Sequence, residues 1–363
     1  MPRPITATIH TAAMAQNLAL ARAQAPGTRS WAVIKADAYG HSIQAAFQGF
    51  SDADGLALIE IENAVRLREM GWTKPILLLE GCYDALDWRV AAEHRLSCVV
   101  HCEEQLAILE VTALPRKVDV YLKFNSGMNR LGFRLERLRD WAARALGNAS
   151  IGEVVLMTHF ARADEPNGYV EQLRRFNEAA DGVPLARSVV NSAACFDFEK
   201  SNGTMGSAGH WIRPGIMLYG ATPFTHAGKG AASLKLNAAM TLSTEIIGVQ
   251  SLAAGDAVGY GATYIASKAE QIAIIACGYA DGYPRHAPTG TPILVGGVRA
   301  PLVGRVSMDK ITVDITQVPM ARVGTRVELW GQQLAVDEVA NHVGTIGYEL
   351  LTAVAPRVPR RIV

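Results

Sequence analysis

Eight times in its first two-thirds, the chain sets a short apolar run beside a segment of helical period, and this alternation restricts the fold more than any other feature. The runs are WAVIKADA at 31–38, GLALIE at 55–60, PILLLEG at 75–81, SCVVHC at 97–102, VDVYLKF at 118–124, EVVLMTHF at 153–160, RSVVNSAA at 187–194 and WIRPGIMLYG at 211–220. Between them lie amphipathic segments such as IENAVRLREMG at 61–71 and NGYVEQLRRFNEAADG at 167–182. Apolar runs separated by helical pattern predict βαβ units and a parallel sheet. Eight such units favour a closed (β/α)₈ barrel over residues 1–230, with an open doubly wound sheet as the alternative. Beyond the small, polar stretch KGAASLKL the character changes. MTLSTEIIGVQ, QIAIIACGYA, TPILVGGVRAPLVGRVSMDKITVDI and RVELWG are short strand-like runs at turn-rich spacing, followed by the helical DEVANHVG at 337–344. Residues 231–363 are therefore expected to form a mainly β domain.

The length of 363 residues suits a barrel with an appendage. Hydrophobic residues are 49% and charged residues 19%, which supplies a large core and argues against disorder. With 35 Lys plus Arg against 34 Asp plus Glu, the chain lacks the charge excess of a nucleic-acid or membrane-surface binder. The N-terminus, MPRPITATIHTAAMAQ, has no apolar stretch of the secretory kind, and no run approaches the ~18 residues of a membrane span. Five scattered cysteines fit a reducing cytoplasm better than a disulfide framework. Cys98, His101 and Cys102, with Cys82 and His94 nearby, lack the second ligand pair of a metal site. Strand alternation would also split them across two faces, so ordinary packing is the better reading and no metal is expected.

Reactive groups of a parallel barrel sit where its strands run out into loops. Lys35 interrupts the apolar run WAVIKADA, a costly position unless the amine is paired or functional. Burial would lower its pKa and leave a neutral amine able to form an imine; the plainer reading is a strand-end lysine reaching solvent. Tyr39 and His41 follow in the same loop. The fifth run ends in Lys123, Asn125 and Arg130, the sixth in His159, the seventh in Asn191 and Ser192, and the eighth carries Arg213, Gly215 and Ile216. Loops after strands seven and eight are the usual phosphate site of such barrels, and the N–H groups of Gly215 and Ile216 with the Ser192 hydroxyl suit one. An imine-forming lysine opposite a phosphate site points to pyridoxal phosphate.

The motifs VIKADAYGH, KFNSGMNRLG, MTHF, RPGIMLYG, VGYGATY, CGYADGYPR and GRVSMD, in this order, resemble alanine racemase, and the likeness runs on to IGYE at 346–349. The SGMNRLGF form resembles the catabolic bacterial enzymes in particular. The resemblance implies that Lys35 carries pyridoxal phosphate as an imine. It implies that Tyr39, Ser192, Gly215, Ile216 and Tyr348 hold the phosphate and that Arg213 faces the pyridine nitrogen; Asn191, at the end of the seventh run, is a further cofactor-binding candidate by its position. Lys35 and Tyr260 would be the two bases of racemisation, one on each face of the α-carbon. Tyr260 would come from the partner subunit of a homodimer, with His159 and Arg213 in its hydrogen-bond chain. Arg130 would steer the substrate carboxylate beside Met308, with Asp309 bordering the pocket and Tyr279 at the entrance. Lys123 matches a lysine often carbamylated. Asn125 and Ser126 replace the Asp-Thr commoner in the family, and Ser307 replaces a frequent Cys. The implied activity is interconversion of L- and D-alanine. A broader amino-acid racemase and a decarboxylase of the same plan are the nearest alternatives. A non-catalytic cofactor carrier and a cofactor-free imine-forming enzyme are more distant ones.

Overall fold

Burial separates the two kinds of strand. In the computed structural model, which describes residues 3–197, 209–224 and 228–363, the strands Gly55–Leu58, Ile76–Leu78 and Ser97–Val100 are buried along their whole length. Thr6–Ile9 and Ile311–Asp314 instead alternate between buried and half-buried positions. Parallel strands covered on both faces read as continuous apolar runs, and half-solvated antiparallel strands alternate.

The strands, in chain order, begin with β1 (Thr6–Ile9), β2 (Arg29–Val33), β3 (Gly55–Leu58), β4 (Ile76–Leu78) and β5 (Ser97–Val100). They continue with β6 (Val118–Asn125), β7 (Phe133–Arg134), β8 (Ile151–Met157), β9 (Ala186–Ser188) and β10 (Trp211–Ile212). The order β10-β2-β3-β4-β5-β6-β8-β9 is parallel throughout, and β7 is a two-residue addition beside β6. Between β9 and β10 the Arg213 amide donates to Val190 O at 2.8 Å and Ser188 Oγ to the Trp211 carbonyl at 3.0 Å, which completes the ring. The eight expected runs are these eight strands, so the barrel is the outcome and the open sheet is not. The outer helices include Ile61–Glu69 and Val170–Ala179, at the amphipathic segments named above, and Ala85–Glu93, which starts where Asp84 accepts from the Asp87 amide at 2.9 Å.

The second sheet is mostly antiparallel. Its strands after the barrel are β11 (Met240–Leu252), β14 (Glu270–Ile275), β15 (Pro292–Val295), β16 (Val298–Pro301), β17 (Ile311–Asp314), β18 (Arg326–Trp330) and β19 (Arg360–Ile362), while β12 (Ala257–Val258) and β13 (Tyr264–Ile265) pair only with each other as a separate two-stranded ribbon. The first half of β11 pairs with β1 and β18 and its second half with β14; irregular pairing at Ile246/Gly248 lies at the change of partner. β1 lies between β11 and β19. The first strand of the chain thus belongs to this sheet and not to the barrel expected to begin at residue 1; a four-residue strand carries no signal of which sheet will accept it.

One buried apolar core runs through both parts, from Met14 and Trp31 to Tyr283 and Trp330. The helix Val336–Val343 appears as expected, and a second helix, Gly347–Ala353, returns to the barrel mouth. There Gly40, at φ +80°, lies so close to it that a Cβ would sit 2.2 Å from Leu351 O. Gly27 has a similar φ, +78°, but open space around it. Gly27→Ala should therefore cost about 1 kcal/mol, and Gly40→Ala about 3 kcal/mol or more, because a clash adds to the backbone cost. Thermal denaturation of both variants checks this; equal melting temperatures would contradict the close docking of Gly347–Ala353.

Candidate active site

The C-terminal ends of the barrel strands open into a cavity of about 870 Å³. Lys35, Tyr39, Lys123, Arg130, His159, Asn191, Ser192, Arg213, Gly215, Ile216 and Tyr348 all line it. β2 leads directly into Lys35, and the next four residues, Ala36 to Tyr39, have φ between +50° and +55°. They form one turn of left-handed helix. Each costs roughly 1 kcal/mol or more for a residue with a Cβ, so the turn must be held by its surroundings. Tyr39 stacks on Tyr219 at 4.7 Å, and Tyr219 donates to Val33 O at 2.8 Å. The turn reverses the chain at once, so Lys35 and Tyr39 both face the cavity.

Opposite lies an anion cradle. The Gly215 amide donates to Ser192 Oγ at 2.7 Å, and a Cβ on Gly215 would meet Tyr39 Oη at 2.5 Å. Only glycine lets the main chain approach these two hydroxyls. Ile216 begins the short helix Ile216–Tyr219. Asn191 lines the cavity, but its side-chain oxygen accepts from the Ala194 amide at 3.1 Å and caps the helix Ser192–Cys195.

Arg213 is buried, and among the described residues no carboxylate partners its guanidinium. It donates to Ser188 Oγ at 2.7 Å and to Thr158 O at 2.6 Å. Burial pushes it down to about 10, which still leaves it charged at neutral pH. It also approaches His159 Nδ1 at 3.4 Å. Burial, then the charges of Arg213 and Lys123, hold His159 well below its usual range, so the imidazole is neutral with Nδ1 as acceptor and the proton on Nε2. Burial and Arg130 lower the Lys35 amine. Burial, Arg213 and Arg130 bring Lys123 down to about 8.

Two substitutions noted in the sequence prove to shape the Arg130 loop. Asn125 Oδ1 accepts from the amides of Gly127 and Asn129 at 3.1 and 2.9 Å. Ser126 and Thr158 hydroxyls meet at 2.8 Å, tying the loops after β6 and β8. Glu80, next to last in PILLLEG, also lines the cavity; a lone carboxylate after an apolar run carries no site signal in the sequence. Met128, Ile346 and Glu349 are further lining residues that sequence pattern did not single out.

Four expected site residues do not line this cavity. Tyr260 is 74% exposed, Met308 53% and Tyr279 36%. Tyr279 and Met308 share one loop cluster: the Tyr279 amide donates to Ser307 O and the Ala280 amide to Met308 O, both at 3.0 Å. Asp309 pairs with Arg357 at 2.6 Å, and Arg357 with Arg3 grips the buried Asp281. Cys82 and Cys98 are buried thiols 3.5 Å apart. Among the described residues no group of three His, Cys, Asp or Glu could hold a metal, and no helix is long and apolar enough to cross a membrane.

Barrel, cavity and cationic strand ends define an enzyme that works at the mouth of a (β/α)₈ barrel with help from a β domain. Comparison with known proteins makes this specific. The family model described as alanine racemase, N-terminal domain, matches residues 9–223, and that of the C-terminal domain matches 239–362. An alanine racemase of Janthinobacterium sp. (strain Marseille) is 53% identical over 362 residues, 99% of this chain and 98% of that one. The crystal structure of biosynthetic alanine racemase from Pseudomonas aeruginosa superposes with a TM-score of 0.92 at 45% identity, covering 99% of both chains. Alanine racemase from Acinetobacter baumannii gives 0.91 at 35%, covering 99% of this chain and 100% of that one. The chain belongs to the alanine racemase family, an isomerase by class.

The neutral histidines set an acid limit. Burial holds His159 well below its usual value and His41 at about 4. Above about pH 6.5 neither is charged, folded or unfolded. Below it the unfolded chain binds protons that the native state refuses, so stability falls towards pH 4. Asp337, raised by burial to about 6, works in the opposite sense over part of that window. Melting temperature should fall between pH 6.5 and 4.5, and His159→Asn should flatten the slope; a melting temperature constant across the interval contradicts the neutral assignment.

Proposed function

We propose that this protein interconverts L- and D-alanine with two bases, Lys35 on one face of the α-carbon and Tyr260 of the partner subunit on the other, using pyridoxal phosphate. The observation that carries the reading is the convergence of Lys35, Tyr39, Ser192, Arg213 and Gly215 on one cavity. The donor set fits a phosphate-bearing aldehyde: hydroxyls and amides around Gly215 for the phosphate, and a lysine with a depressed pKa for the carbonyl carbon. Tyr39, Ser192, Gly215, Ile216 and Tyr348 would hold the phosphate, beside Asn191.

When bound, pyridoxal phosphate supplies an electron sink for the pair left on the α-carbon as its proton departs. Arg213 would donate to the ring nitrogen and keep its own proton, which limits that sink and favours fast return of the proton to carbon. Arg130, near Met308 of the partner subunit, would pair with the substrate carboxylate through its planar fork. Lys35 Nζ takes the α-proton in one direction and gives one back in the other. The Tyr260 phenol of the partner subunit has the opposite duty at each turn. Neutral His159, with Nδ1 facing Arg213, has Nε2–H to offer that phenolic oxygen, which eases its deprotonation. Tyr279 and Asp309 would border the entrance from the same partner. Exposure of Tyr260 and Met308, outside their own chain's cavity, supports sites shared across a homodimer. Lys123, at about 8, has enough neutral amine near pH 7.5 to add carbon dioxide, forming an N–C bond with loss of a proton. The resulting carbamate would neutralise and orient Arg130.

In deuterated water, L-alanine should exchange its α-proton and lose optical rotation; constant rotation with evolution of carbon dioxide would indicate a decarboxylase instead. Lys35→Ala and Tyr260→Phe should each reduce kcat by about a thousandfold or more. Mixed and allowed to exchange subunits, the two variants should recover roughly a quarter of the activity, since half the dimers then hold one intact site. No recovery, with exchange shown by mass spectrometry, would sink the shared site. Labelled bicarbonate should give a carbamate carbon signal that Lys123→Ala lacks.

A further inference from the structure

The left-handed turn after Lys35 needs something to hold it, and its main-chain carbonyls show what does. Ala36 O accepts from the Gly40 amide at 3.0 Å and Asp37 O from the Ser42 amide at 2.9 Å. Gly40 O accepts from Arg360 Nε at 2.8 Å. Ala38 O accepts from the His41 amide at 3.0 Å and from His41 Nδ1 at 3.1 Å. Tyr39 O accepts from His41 Nδ1 at 2.9 Å, and among the described residues it has no other hydrogen-bond donor. A buried carbonyl left without a donor is costly, and this one belongs to the tyrosine beside the anion cradle.

We infer that His41 is a positioning residue for the cofactor site: its Nδ1–H bridges the carbonyls of Ala38 and Tyr39 and so holds Lys35 and Tyr39 in their working orientations. The ring is fully buried, and among the described residues Nε2 has no hydrogen-bond partner. A neutral imidazole has one N–H, and two carbonyls at Nδ1 require it there. The unpartnered Nε2 therefore serves no hydrogen bond, which leaves the Nδ1 donor and ring packing as what the side chain supplies. Packing comes from Tyr219, whose ring lies 4.7 Å from both His41 and Tyr39. Burial, which outweighs the two carbonyls, keeps the imidazole neutral to about pH 4. His41 is thus separate from the proton-transfer groups. It acts through the backbone of the turn and does not itself line the cavity.

This inference rests on the reading that Lys35 and Tyr39 hold pyridoxal phosphate. Asparagine can place an N–H donor where Nδ1 stands, whereas glutamine places its amide nearer the Nε2 position. The two variants are similar in size and polarity, so a general loss of packing falls on both. Affinity of the apoprotein for pyridoxal phosphate, read by absorbance, and hydrogen exchange in the 36–42 segment are measured for His41→Asn, His41→Gln and the unaltered protein. His41→Asn should bind within about threefold of the unaltered protein; His41→Gln should bind about tenfold more weakly or worse and exchange faster in that segment. Equal affinity and exchange in the two variants overturns the inference, whether both match the unaltered protein or both are impaired. Should His41→Asn not fold, His41→Gln alone decides through the same two measurements: unchanged affinity and exchange overturn the inference. An unaltered protein that does not bind pyridoxal phosphate instead removes the underlying reading.

Discussion

Like charge gathered in a confined space is the constraint to which the rest of this molecule answers. Lys35, Lys123, Arg130 and Arg213 all face one cavity, and the buried Arg213 meets only neutral groups among the described residues, Ser188 Oγ, Thr158 O and His159 Nδ1. Two positive charges about 6 Å apart cost roughly 3 kcal/mol at an effective dielectric of 20. The protein accommodates them by lowering the basicity of the lysines and of His159 and by directing donors at carbonyls and hydroxyls. The large core on both sides of the barrel wall supplies the stability that tolerates this. The same cost becomes an asset once anions are present. A phosphate and a carboxylate are what such a cavity is short of, and they would relieve the repulsion as they bind.

Strain at the first strand end follows the same logic. Four residues in the left-handed region and a glycine pressed against Leu351 O are local compromises, each held by neighbours from distant parts of the chain. Arg360 and Gly347–Ala353 come from the last twenty residues, yet they close around the loop after the first barrel strand. The β domain therefore helps to build the cavity of its own barrel through Tyr348 and Glu349, while Tyr260 and Met308 face outward.

What could be read in the sequence follows from physics that acts locally. The eight barrel strands were legible because parallel strands covered on both faces must be apolar throughout, and the helices between them because one face must be. Lys35, His159 and Arg213 stood out as charges at the ends of such runs. β1 was not legible, since TATI could pair with either sheet and its partners lie over 200 residues away. Gly347–Ala353 is short, and its helical state depends on docking. Asn191 was assigned to the cofactor on its position alone; its capping bond depends on backbone geometry that no spacing reveals. Glu80 was not legible as a site residue, since a lone carboxylate after an apolar run reads equally well as a solvated strand end. The outward placement of Tyr260, Tyr279, Met308 and Asp309 could be anticipated only by resemblance, because nothing in periodicity distinguishes a side chain that serves its own chain from one that serves a neighbour.

β1 pairs with Met240–Ser243 on one side and with Arg360–Ile362 on the other. During synthesis, β1 must wait for residues 240–243 before it has one neighbour and for residues 360–362 before it has the second. The barrel can close before either exists, because most of its strands pair with the next or next but one and the remaining pairing, β10 with β2, needs only residues 211–212. Completion of the molecule is then a late event that brings both chain ends together over the finished barrel, with Arg3 and Arg357 meeting on Asp281. Contacts of such sequence separation are slow to form. A ribosome-bound or C-terminally shortened chain would thus display an unpaired strand edge, and a chaperone or an identical nascent chain is what would meet it first.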